Sequence, residues 1–169
     1  MPSVKAVYYS SLGALLGLAL LLAGCAAQLA PIYDQALVSS LTSTNADTLE
    51  LMAAAADGTT KESFPSRELQ YNKIIGKLDA LALQAAARPV PRNNVPKALK
   101  EIVGSRNTPG SPNQIIPSST ALQEISKTLA MMRHTDKKQG VTAMEVQAFK
   151  GQVLIYMDQA LTYEAALKR

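Results

Sequence analysis

The stretch from Thr142 to Leu167, TAMEVQAFKGQVLIYMDQALTYEAAL, decides the fold class. Val146, Phe149, Val153, Tyr156, Ala160, Tyr163 and Leu167 follow one another at intervals of 3, 4, 3, 4, 3 and 4 residues. A helix turns once every 3.6 residues, so this spacing lines seven side chains along one stripe. Thr142-Ala143-Met144-Glu145, just ahead of it, has the form of a capping box. There a hydroxyl and a carboxylate each satisfy an orphan N–H of the first turn. Gly151 lies inside the stretch at a cost of about 1 kcal/mol relative to alanine, which makes it a candidate for close contact with another helix.

Working outward, the same period recurs three times. A first helix is expected from Pro31 to Ala56, with Leu37, Leu41, Thr44, Thr48, Leu51 and Ala55 on one stripe and Asp57-Gly58 at its end. A second runs from about Pro65 to Arg88, with Tyr71, Ile74, Leu78, Leu81 and Ala85 in register, and Pro89 and Pro91 stop it. A third runs from about Ser119 to Asp136 on Leu122, Ile125, Leu129 and Met132, with Ser118, Ser119 and Thr120 offering capping hydroxyls. No segment alternates as a strand would. Each stripe is too narrow to stand alone, so the expected fold is all-α, a four-helix bundle over residues 31–169. The link from Arg88 to Pro117 is far longer than bundle connections normally are. It reads as an irregular connection containing a short helix over Pro96–Val103.

Residues 1–24 differ in kind. Lys5 is the only charged side chain before Asp34, and Leu12 to Leu22 is an unbroken run of Leu, Ala and Gly. The run ends at Leu22-Ala23-Gly24-Cys25. This segment resembles the signal peptide and lipobox of bacterial lipoproteins, in which Leu, a small residue and Gly or Ala precede the modified cysteine. The resemblance implies that Leu22, Ala23 and Gly24 are read by the signal peptidase and that residues 1–24 are removed. It also implies that Cys25 carries a covalent lipid, with residues 25–30 as the tether. Ala26 stands where an aspartate would retain an enterobacterial-type lipoprotein at the inner membrane. In a Gram-negative host the resemblance therefore implies the outer membrane, facing the periplasm. The alternatives from composition are an uncleaved membrane helix, weakened by Gly13, Gly17, Gly24, Gln28 and Pro31, and a buried free thiol.

The chemistry-bearing residues are few. One cysteine excludes an internal disulfide framework and a cysteine-rich zinc site, and one histidine excludes histidine clusters. His134 lies in a polar helix end, where the helix dipole favours it. Met131 stands where a di-iron bundle needs its glutamate. A haem with Met and His ligands would draw on Met52, Met131, Met132, Met144, Met157 and His134. Methionines at helical spacing are, however, ordinary core filler. Asp47 and Glu50 share a helix face and read as a solvated face, not an acid–base pair. Neither a catalytic set, nor a metal site, nor a cofactor beyond the lipid is expected.

The net charge is +4, too mild to imply nucleic acid. It is unevenly spread. Arg88, Arg92, Lys97, Lys100 and Arg106 against Glu101 make the long connection basic, and Lys127, Arg133, Lys137 and Lys138 form a second basic stretch. The expectation is a lipid-anchored, non-enzymatic interaction or structural module. Its anchor is in the membrane, and its basic connection faces an envelope protein or an anionic envelope surface. The alternative is a carrier of a small apolar ligand between the helices, motivated by small seam residues such as Thr44 and Thr48. A cell-envelope enzyme ranks below both.

Overall fold

An aspartate starts the first helix. In the computed structural model, which describes residues 30–90 and 115–168, the Asp34 carboxylate accepts hydrogen bonds from the N–H groups of Ala36 and Leu37. That cap opens α1 (Gln35–Ala54) three residues beyond Pro31. Pro65 sits in the first turn of α2 (Pro65–Ala87), where its missing N–H costs nothing. Pro117 does the same for α3 (Pro117–Gln139). The Thr142–Glu145 capping box opens α4 (Ala143–Ala166) as its sequence implies. These four helices and no strand make up the regular structure among the described residues. The short helix expected over Pro96–Val103 lies outside them.

The expected stripes of α1, α2 and α3 are buried in full. In α4, Val146, Val153 and Ala160 are buried, whereas Phe149, Tyr156, Tyr163 and Leu167 are half-buried. Met157 and Glu164 take the remaining inner positions. The expected seam is thus rotated slightly, toward Met157 and Glu164. The helices close a ring in which α1 packs on α2 and α4, and α3 packs more extensively on the same two. Cross-links set the directions. Asp47 meets Lys77, while Ser40 and Gln84 line one groove, so α1 and α2 are antiparallel. Arg67 meets Asp136 and Ser119 meets Ala82, so α2 and α3 are antiparallel too. A turn of three residues returns the chain from α3 into α4. Helix direction therefore alternates around the ring.

The bundle has two distinct ends. One collects the start of α1, the end of α2, the start of α3 and the end of α4. It is called the tether end here because residue 30 enters there. The other, the distal end, holds the α1–α2 connection and the α3–α4 turn. At the distal end, Gly58 and Gly140 have φ of 92° and 83°, the left-handed region that side chains disfavour. A Cβ on Gly140 would lie 2.4 Å from the Thr59 carbonyl oxygen, so the two connections press together only because no side chain intervenes.

Candidate functional site

The tether end carries one of the residues singled out for a contact surface. Arg88, the residue after α2, turns inward. It donates from Nη1 to Glu164 Oε2 at 2.8 Å and from Nη2 to Glu164 Oε1, a paired fork on α4. Its Nη2 also donates to Ser118 Oγ on α3 at 3.3 Å. The arginine side chain is 9% exposed and the glutamate 0%. The positive charge of Arg88 is therefore neutralised within the fold. Half-buried Tyr163 stands beside the pair. Burial raises its phenol pKa, the Arg88 charge opposes that rise, and the Glu164 charge adds to it.

The distal end repeats the device. Arg67 of α2 donates from Nε to Asp136 Oδ2 at 2.9 Å and from Nη2 to Asp136 Oδ1 at 2.8 Å. Thr59 donates its hydroxyl to the same Asp136 Oδ1 at 2.6 Å and accepts the N–H of Val141 at 2.9 Å. One buried carboxylate thus binds α2 and the α1–α2 connection, and Thr59 carries the link on to the α3–α4 turn. The Tyr71 hydroxyl is buried nearby without a hydrogen bond of its own. Desolvation, then the Asp136 charge, push its pKa far above the ordinary phenol value. Both carboxylates are engaged by a guanidinium fork.

The other sequence candidates scatter. His134 is exposed on α3. Asp47 and Glu50 do not form a carboxylate pair. Asp47 accepts from Lys77 at 2.7 Å, and that hydrogen bond holds its carboxyl below the usual range, while Glu50 faces solvent. Met52, Met132 and Met157 are buried, and Met131 and Met144 are exposed. Among the described residues, no three His, Cys, Asp or Glu side chains converge as a metal site would require. Ser118 and Ser119 do not cap α3. Ile116 holds the cap position, Ser118 accepts from Arg88, and Ser119 donates to the Ala82 carbonyl. Thr44 and Thr48 donate to the carbonyls of Ser40 and Thr44 in their own helix.

Of the second basic stretch, Lys127 pairs with Glu124 and Lys137 with Glu68. Arg133 donates to Asn72, and Lys138 is exposed. Lys137 and Lys138 belong to the distal end, about 35 Å from the tether end at the rise of a 23-residue helix. Leu22, Ala23, Gly24, Cys25 and Ala26, and the basic residues Arg92, Lys97, Lys100 and Arg106, lie outside the described residues. No described helix is long and apolar enough to cross a membrane. The chain matches no family model, no curated protein and no solved structure.

The buried ion pairs escaped the sequence reading, although a signal was present. Arg67 and Arg88 continue the α2 stripe at either end, four before Tyr71 and three after Ala85. Asp136 stands four after Met132, and Glu164 four after Ala160. A charge in register with an apolar stripe is pointed at the core and needs a partner there.

Proposed function

We propose that this chain is a lipid-anchored envelope protein whose helical bundle serves as a non-enzymatic interaction or structural module. It is held by Cys25 at the periplasmic face of the outer membrane. The observation that carries the reading is the Leu22-Ala23-Gly24-Cys25 sequence at the end of an uninterrupted small and apolar run. Two acyl chains or more give durable attachment, since a single chain holds only marginally. Eight residues separate Cys25 from the Asp34 cap, a reach of at most about 30 Å. On this reading the tether end is the one joined to the bilayer, and the distal end is the one farther along the chain from the anchor.

On this reading the long connection, with its short helix over Pro96–Val103, meets the partner through Arg92, Lys97, Lys100 and Arg106. Arg88 is spent on Glu164 and anchors the start of that connection. Lys137 and Lys138, at the distal end, are assigned no part in that contact. The carrier reading loses one of its motives, because the Thr44 and Thr48 hydroxyls donate to carbonyls within α1.

Labelling cells with radioactive palmitate tests the anchor. The wild-type chain incorporates label and sediments with membranes, whereas Cys25→Ala incorporates none. Equal labelling of the two would overturn the anchor. Crosslinked pull-downs test the surface. Reversing charge at Arg92, Lys97 and Lys100 changes the captured set, and reversing Lys137 and Lys138 leaves it as it was. An unchanged set in the first case removes the connection as the contact.

A further inference from the structure

We propose that α1 opens as a unit while α2, α3 and α4 stay folded, so that the bundle is a three-helix core carrying one separately displaceable helix. The two buried arginine–carboxylate pairs join only the other three. Arg67 with Asp136 ties α2 to α3, and Arg88 with Glu164 ties α2 to α4, with Ser118 bringing in α3. No residue of α1 takes part in either. Its own ionic links, from Asp47 to Lys77 and Lys73, lie at the surface, where water competes for them.

The interior of α1 is also made for departure. Thr44 and Thr48 carry their hydrogen bonds with them, because each donates to a carbonyl of the same helix. Asn45 Oδ1 is buried without a partner, and opening returns it to water. Leaving separates no pair among the remaining helices, since α1 packs on α2 and α4, both of which pack on α3, and Arg88 also links α2 to α4. Leu37, Leu41, Leu51, Met52 and Ala55 oppose opening, so the closed form dominates.

A joint is in place. Just past Gly58, Thr59 donates its N–H to the Val141 carbonyl and its hydroxyl to Asp136. The connection is thereby clamped to the core at Thr59, so that a displaced α1 remains joined to the core from that residue on. The opening does not depend on lipidation, so its test and the palmitate test fail separately.

Residue-resolved hydrogen exchange on the complete chain in detergent, at urea concentrations below unfolding, tests the proposal. The amides of Leu41, Thr44 and Thr48 exchange at least about tenfold faster than those of Ile125, Leu129 and Met132, with a weaker urea dependence. Ser126→Ala removes the hydrogen bond to Asp79 that crosses from α3 to α2. It accelerates the α3 amides by roughly tenfold and leaves the α1 amides unchanged. Convergence of α1 and α3 rates in the wild type, or equal acceleration of both by Ser126→Ala, overturns it.

Discussion

Tyr71 is fully buried with an unsatisfied hydroxyl, so its oxygen contributes a desolvation cost and no bond. Tyr71→Phe is expected to leave stability at neutral pH unchanged or to raise it by about 1 kcal/mol, read from urea denaturation. The pH dependence has a definite sign. The folded-state pKa of Tyr71 lies above its unfolded value. Its contribution is therefore fully present below the ordinary phenol range and is lost as pH rises through and beyond that range. Alkaline unfolding should accordingly be less steep in Tyr71→Phe. Glycines divide by context. Gly76 and Gly151 lie in exposed helix interiors, where an added Cβ meets nothing within 4 Å. Gly151 is therefore not a point of close helix contact within this fold. Replacing either by alanine should stabilise the chain by about 0.5–1 kcal/mol. Gly140→Ala should cost about 2 kcal/mol or more, because the Thr59 backbone and a left-handed φ both oppose it. Thermal melts of the three variants rank them directly.

Among the elements, the pairs Arg67–Asp136 and Arg88–Glu164 matter because removing one partner strands the other in the core. Glu164→Gln is expected to destabilise by about 3–5 kcal/mol, whereas replacing both partners, Arg88→Met with Glu164→Leu, restores most of the loss. A double-mutant cycle in urea measures the difference. The apolar stripes were legible in the sequence because period and hydrophobicity agree over several turns, as in Tyr71, Ile74, Leu78, Leu81 and Ala85. Helix starts were less so. Asp34 caps a helix whose start the sequence alone put at Pro31, and Ile116 holds the cap position for which Ser118–Thr120 offered hydroxyls, since a proline or a hydroxyl suits several positions in a first turn. The ion pairs were illegible for a different reason. A charge at the end of a stripe looks like a solvated terminus until a partner from another helix is seen to meet it.

At the scale of the molecule, alternating helix direction sorts the charges into two populations. Residues that follow α2 start from the tether end, while Lys137 and Lys138 stand about 35 Å away at the distal end. Arg88 and the Lys137–Lys138 pair are thus set at opposite ends by topology, which the spacing of residues does not encode. The role of Arg88 was not legible, because its partner Glu164 stands 76 residues away in sequence and only the fold brings the two together. The intact mass of the protein extracted from membranes tests the central claim most directly. The proposed anchor predicts a chain that begins at Cys25 and carries the added mass of a diacylglycerol, with or without a further acyl group. A mass matching an unprocessed chain from Met1 with a free Cys25 thiol would contradict it.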